Sequence, residues 1–247
     1  MYLYFFKRLI DILLIFFALI LLSPLLIPIV VILLLTGEHY VFYGQNRVGH
    51  KNKIFKIWKF ATMLRDSPNI GTKNITLRND PRVFPFGRFL RKTKLNELPQ
   101  IFNILLGDMS FIGSRPLVKA DFDKYSHEVQ SVIYKTPPGL TGIASIVFRD
   151  EEKWISEAEG DKHEYYRLHI TPYKGELELW YQKNISFYTD FMIFFLTAWA
   201  IVAPGSELVH KVFKDLPERP EELRKNYESK IGESQLGIKN YDDVMMR

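Results

Sequence analysis

The chain has 247 residues, of which 47% are hydrophobic, a formal net charge of +5 and no cysteine. The lack of cysteine excludes a disulfide framework and any thiolate metal site. Mean hydropathy is only −0.07 despite a strongly apolar N-terminus, which leaves one membrane segment and an ordinarily polar domain of roughly 160 residues.

Residues 9–36 form the first predicted element. From Ile12 to Leu35 there are 24 residues without a charge, enough to cross the ~30 Å hydrocarbon core. Ser23-Pro24 sits in the middle, with Pro28 one turn later. Pro24 deprives the Ile20 carbonyl of its helical donor, and Pro28 does the same to the Pro24 carbonyl. Ser23 is placed to return its hydroxyl to Leu19 and bend the helix. Lys7 and Arg8 precede the run, and Arg47, Lys51, Lys53, Lys56 and Lys59 follow it, which favours keeping both ends in the cytoplasm. A re-entrant helix–break–helix satisfies the kink and the charges together. A spanning helix with a tolerated proline kink stays open on the residues alone. A cleaved signal peptide fits less well, because the run is too long and lacks a small-residue site.

From Arg47 to Lys94 there are 13 Lys/Arg against two acids. Such a segment suits anionic headgroups or phosphorylated ligands, and no nucleic-acid module accompanies it. Residues 40–43 read as a short strand ended by Gly44, residues 45–49 as a turn, and residues 54–63 as a second strand. Residues 64–81 read as a polar loop. Leu95, Leu98, Ile101, Phe102, Leu105 and Leu106 recur at helical spacing, and Gly107 is a natural stop. Residues 117–134 read as helical, the Pro137-to-Gly142 run as a rigid turn, residues 144–148 as a strand and residues 162–186 as an amphipathic helix. The apolar run from Phe191 to Pro204 is too short to span and suits a buried or interfacial helix. Beyond Gly205 nine acids and eight bases read as a docked helix or disorder.

The chemistry points to Lys94-Leu95-Asn96-Glu97-Leu98-Pro99-Gln100, at the head of the best helix. Capping alone would account for Asn96, Glu97 and Pro99. The surroundings add a second reading. Arg88, Arg91, Lys92 and Lys94 lie upstream, and Gly107-Asp108 and Gly113-Ser114-Arg115-Pro116 lie downstream. Guanidinium forks suit phosphate oxygens, and Mg²⁺ takes one or two carboxylates, here Glu97 and Asp108, plus diphosphate oxygens. The acids after the Gly142 turn, Asp150, Glu151 and Glu152, read as a strand leading into a solvated helix start or as a replacement acid.

Several ordered pieces carry a resemblance over roughly residues 5–200: Phe6-Lys7-Arg8 with Asp11, Ser23-Pro24, Gln45-to-Gly49, Phe55-to-Phe60, Asp80-Pro81-Arg82, Gly87-to-Arg91, Glu97-Leu98-Pro99-Gln100, Asn103, Gly107-to-Ser110, Arg115-Pro116-Leu117 and Pro138-to-Gly142. In order and spacing they resemble the monotopic polyprenyl-phosphate phosphoglycosyl transferases, or bacterial sugar transferases. The resemblance implies an enzyme at the cytoplasmic face of the bacterial inner membrane. It implies transfer of a phospho-sugar from a nucleotide diphosphate sugar, usually a UDP-sugar, to polyprenyl phosphate, with Mg²⁺ assisting and UMP leaving. The product starts a surface glycan or exopolysaccharide.

By position, Glu97 matches the family's metal-binding acid, Arg115 its diphosphate-contacting arginine and Lys59 the lysine of its Lys-Phe motif. Asn96 stands where the family has its nucleophilic Asp, and an amide cannot perform that covalent step. Ala61, Ser114 and Ser145 are further departures, from a basic residue, Pro and Gln. The chain therefore reads as a divergent member in which Glu97 acts as nucleophile, polyprenyl phosphate attacks directly, or the chemistry is lost and binding retained.

The expectation is an α/β protein of α+β character. Residues 1–36 form a re-entrant membrane hairpin broken at Ser23 and Pro24, residues 37–204 a cytoplasmic transferase-like domain and residues 205–247 a polar tail. Its site has Glu97 and Asn96 at the reaction centre. Lys59, Arg88, Arg91, Arg115, Pro116, Thr141 and Gly142 bind substrate, and Glu97 with Asp108 holds Mg²⁺. Partners are the nucleotide diphosphate sugar, polyprenyl phosphate and membrane lipid, not nucleic acid, with a homo-oligomer left open. The alternatives are a silent binding or scaffold homologue, or a transferase acting on a lipid-linked glycan.

Overall fold

In the computed structural model the described residues are 2–69, 80–149, 151, 154–155, 158, 160–203 and 206–223. The expected loop 64–81 lies partly outside them, as do Asp150, Glu152, Pro204, Gly205 and the tail beyond residue 223.

A π-helical turn, Tyr2–Phe6, leads into α1, Lys7–Leu35. The expected break at Ser23-Pro24 is not a break: α1 continues through both Pro24 and Pro28. The Ser23 hydroxyl donates to the Ile20 carbonyl at 2.9 Å, not to Leu19 as expected, and so fills the acceptor that Pro24 leaves bare. The helix is long and apolar enough to cross a membrane by length and composition. Its inner stripe nevertheless rests on the domain along its length. Lys7, Asp11, Ile15, Ile29 and Leu33 are buried at helical spacing. Ile15 joins Ile57, Ile101, Ile104 and Met109, while Ile29 and Leu33 join Phe60 and Leu90.

Strands β1, Phe42–Val48, and β2, Ile54–Phe60, form an antiparallel hairpin with Phe42 opposite Phe60. β1 therefore runs through Gly44 and the expected turn, and the real turn is residues 49–53. Helix α2, Pro85–Lys92, starts with proline in its first turn. The expected helix from Leu95 divides into a 3₁₀ turn, Leu95–Glu97, and α3, Gln100–Leu106, with Pro99 at the junction. Gly107 stops α3 in the left-handed region, at φ 92°.

Strand β3, Ser110–Ile112, then leads through α4, Lys119–Phe122, and α5, His127–Val132, to the parallel strand β4, Gly139–Thr141. Of residues 144–148, expected as a strand, 144–147 belong to α6, Ile143–Val147, and Phe148 follows its end. Burial of Ile143, Ala144 and Val147 at one helical face overrides the strand preference of Ile and Val. Helices α7, Lys162–Tyr165, and α8, Thr171–Lys183, are joined by a π-helical turn, Tyr166–Ile170. Helix α9, Phe187–Val202, is capped by Ser186. Helix α10, Leu208–Val212, docks: Val209 and Phe213 join Ile143, Tyr173, Leu177 and Ile193 in the main core.

Candidate active site

Asn103 fixes where the site forms. It is fully buried in α3, accepts the Trp58 N–H at 3.0 Å and donates to the Lys56 carbonyl at 2.8 Å. These two bonds dock α3 edge-on against β2. They bring Glu97, at the head of α3, to Lys59 on β2, with Oε1 3.9 Å from the ammonium.

Arg115 completes the group from the loop after β3. Its guanidinium donates to Glu97 Oε2 at 2.8 Å. That loop is built on close backbone approach. A Cβ on Gly139 would lie 2.1 Å from Gly113 N, and one on Gly142 would lie 2.2 Å from Gly113 O. Only glycine admits the packing of the Pro137-to-Gly142 turn against Gly113. The Gly113 N–H donates to the Thr141 carbonyl and the Gly139 N–H to the Ser114 carbonyl, both at 2.9 Å. Tyr134 straddles the next residues: its hydroxyl donates to the Arg115 carbonyl at 2.8 Å and accepts the Leu117 N–H at 2.9 Å. Arg47 donates to the Pro116 carbonyl at 3.2 Å.

The electrostatics follow from two cations on one acid. Burial pushes the Glu97 carboxyl up, but Arg115 and Lys59 outweigh it and bring the pKa down to about 2. Burial lowers Lys59 to about 8 against the pull of Glu97, with Arg47, Arg115 and Arg91 adding repulsion. The result is a half-buried, permanently ionised carboxylate inside a ring of cations. Such a ring can draw in a diphosphate and order it by forked hydrogen bonds.

Asn96 does not cap a helix. It lies inside the 3₁₀ turn, and its Oδ1 is buried with no hydrogen-bond partner among the described residues, as are both amide atoms of Gln100. The Asn96 amide oxygen is therefore turned into the protein, while Glu97 stays partly open. Arg91 is half-buried, 3.3 Å from Met63 Sδ and close enough to Lys59 to act on its charge. Arg88 is exposed on α2 and stands outside the ion-pair group. Thr141 bonds the Thr197 hydroxyl of α9 at 3.0 Å, so it and Gly142 support the Arg115 loop from below. Asp108 lies beyond the far end of α3 from Glu97. A helix of that length is about 10 Å long, and no set of three acid or imidazole groups gathers for a metal among the described residues. Tyr134, Arg47 and Glu178, which holds Ser114, were absent from the expected site. Arg47 sits in a recognisable motif; the other two act across long sequence separations and leave no local signal.

The family model for the bacterial sugar transferases matches residues 2–204. The chain belongs to the bacterial sugar transferase family. Named members of that family are similar to it over most of its length. The undecaprenyl-phosphate galactose phosphotransferase of Salmonella typhimurium is 32% identical, over 80% of this chain and 40% of the relative. The UDP-glucose:undecaprenyl-phosphate glucose-1-phosphate transferase of Escherichia coli K12 is 34% identical, over 78% of this chain and 39% of the relative. The exopolysaccharide production protein ExoY of Sinorhizobium fredii is 31% identical, over 79% and 84%. The chain thus spans about two fifths of the galactose and glucose-1-phosphate transferases and most of the ExoY protein.

Proposed function

We propose that this sugar transferase moves a phospho-sugar from a UDP-sugar to polyprenyl phosphate and so begins a surface glycan or exopolysaccharide. The observation that carries the reading is the Lys59–Glu97–Arg115 group, a fixed anion flanked by donors for a diphosphate. The named relatives support the substrates, since their names give undecaprenyl phosphate with UDP-sugars or sugar phosphates.

The chain's residues assign the steps. Arg115 and Lys59 bind the diphosphate oxygens and orient the β-phosphorus, exchanging part of their hold on Glu97 for the ligand. Asn96 cannot form an acyl phosphate and both Glu97 oxygens face cations, so in this reading an oxygen of polyprenyl phosphate, rather than Glu97, attacks the β-phosphorus directly. One P–O bond forms, the bond to UMP breaks, and UMP leaves with the electron pair. Lys59 and Arg115 hold the charge that builds on the transferring group. The site fits Mg²⁺ through one ionised carboxylate, Glu97, together with the ligand's own oxygens. Asp108 is too far along α3 to share that ion. Bound there, Mg²⁺ supplies neutralisation of the diphosphate charge.

The seat of the enzyme is a monotopic, interfacial one at the cytoplasmic leaflet, with α1 lying unbroken along the domain. Support comes from both ends of α1. At its start Lys7 bonds Asp190, Arg8 bonds the Ile104 and Leu105 carbonyls, and Asp11 accepts from Ser110 and Phe111. At its end Leu33 is buried against the domain. Both ends of the helix being tied to one domain supports a reading in which they stay on one side of the bilayer. Its outer face exposes Phe16, Phe17, Ile20, Leu21 and Ile27, and α3 and α9 expose Leu106, Phe191 and Trp199. This pattern suits an interfacial seat.

The test is transfer itself: purified protein, Mg²⁺, polyprenyl phosphate and a panel of labelled UDP-sugars. Lipid-linked sugar phosphate is expected from one of them, and Glu97→Gln abolishes it. Initial rates should intersect as for a ternary complex, and UMP should not exchange into UDP-sugar without the acceptor; exchange would indicate a covalent intermediate. A second reading, a silent binding homologue, is carried by Asn96. Activity confined to Asn96→Asp would select it.

A further inference from the structure

The Arg115 loop is held from behind by a carboxyl group that the transfer steps leave unused. Glu178 lies in α8, is buried, and its Oε2 accepts a 2.5 Å hydrogen bond from the Ser114 hydroxyl. Ser114 is 1% exposed. Its carbonyl is fixed by the Gly139 N–H, and the next residue presents its guanidinium to Glu97. A shift at Ser114 therefore moves Arg115 directly.

The groups facing Glu178 are few. Lys174 lies one turn earlier in α8 and pairs with Glu151, and the hydroxyls of Tyr125, Tyr134 and Tyr181 sense the Glu178 charge. Burial pushes the Glu178 pKa up to about 7, against the Ser114 hydrogen bond and Lys174. Holding an acid in such a place works against stability, and groups kept at that cost concentrate at functional sites.

We propose that Glu178 is a positioning residue for Arg115, acting through the Ser114 hydroxyl, and that this pair sets the affinity for the donor's diphosphate. The proposal rests on the reading of Arg115 as the diphosphate ligand. An ionised Glu178 is the stronger acceptor, so the loop is held most firmly on the alkaline side of its titration.

The test uses the full chain in nanodiscs with UDP as probe, titrated with Mg²⁺ present at pH 6 and pH 7.5, for the wild type and for Arg115→Ala, Ser114→Ala and Glu178→Gln. Wild type should bind UDP more tightly at pH 7.5 than at pH 6. Ser114→Ala should bind about tenfold more weakly at pH 7.5, the loss of one charge-assisted bond. Glu178→Gln should keep only the smaller pH step that the terminal phosphate of UDP brings by its own ionisation near pH ~6, and lose the rest. A purely structural contact would lower the melting temperature of Ser114→Ala and leave the pH step in place, and that result overturns the proposal. UDP held by the wild type, lost in Arg115→Ala and bound unchanged by Ser114→Ala overturns the proposal alone. UDP not held by the wild type overturns the diphosphate reading and the proposal with it. Ser114→Ala removes one atom without touching the backbone, so the test stands if Glu178→Gln folds poorly.

Discussion

Lys59 and Glu97 divide the pH axis between them. With a pKa near 2, Glu97 stays ionised at every working pH and contributes no step. Lys59, lowered to about 8, loses its charge as pH rises through that value. UDP affinity should therefore fall about tenfold between pH 7.5 and 9.5, the size of one lost charged contact, and Lys59→Arg should flatten that limb in the same titration. Glu178 has the opposite thermodynamic sign. Its folded pKa lies above the unfolded value of 4.5, so its contribution is full below about pH 4.5 and is lost as pH rises through 7. The displacement is worth roughly 3 kcal/mol. Glu178→Gln should thus gain melting temperature over wild type at pH 8.5 and little at pH 4.5, read by thermal unfolding at the two pH values. Lys59, Glu97 and Arg115 were legible as residues because each stands in a short motif. Their mutual contact was not, because it depends on Asn103 seating α3 on β2 and on glycine packing more than 20 residues away.

Elements were legible where local pattern and tertiary demand agree. The uncharged run of α1, the stop at Gly107 and the short apolar run that becomes α9 all appear in the sequence in this sense, whereas the Ser186 cap before α9 falls where the sequence reads as continuous helix. They were illegible where packing decides. Residues 143–147 form a helix although rich in Ile and Val, because burial of one face favours it. The head of α3 tightens to a 3₁₀ turn because Pro99 interrupts the backbone ladder. Ser23 mends the gap at Pro24, and α1 runs on. The glycine interlock makes a prediction at this scale. Gly139→Ala forces a methyl to within 2.1 Å of the Gly113 nitrogen, and both neighbours are backbone. It should cost about 3 kcal/mol, the upper end for overpacking. Weakened UDP binding together with a lowered melting temperature is expected, whereas unchanged unfolding would show that the turn yields.

The whole molecule reads as a domain strapped along one long apolar helix. The absence of cysteine makes its placement measurable. Leu3→Cys and Lys53→Cys, both at exposed positions, should react with a membrane-impermeant maleimide from the same side of inverted vesicles. Labelling from opposite sides would refute the one-sided, interfacial seat. On the proposed function, a lone carboxylate held by Lys59 and Arg115 supports transfer without an acid at position 96. The yield of lipid-linked sugar phosphate from UDP-sugar carrying ³²P at the β-position tests this. Label is expected in the polyprenyl product of the wild type and none with Glu97→Gln. Label appearing only after Asn96→Asp, with the wild type inert across the sugar panel, would contradict it.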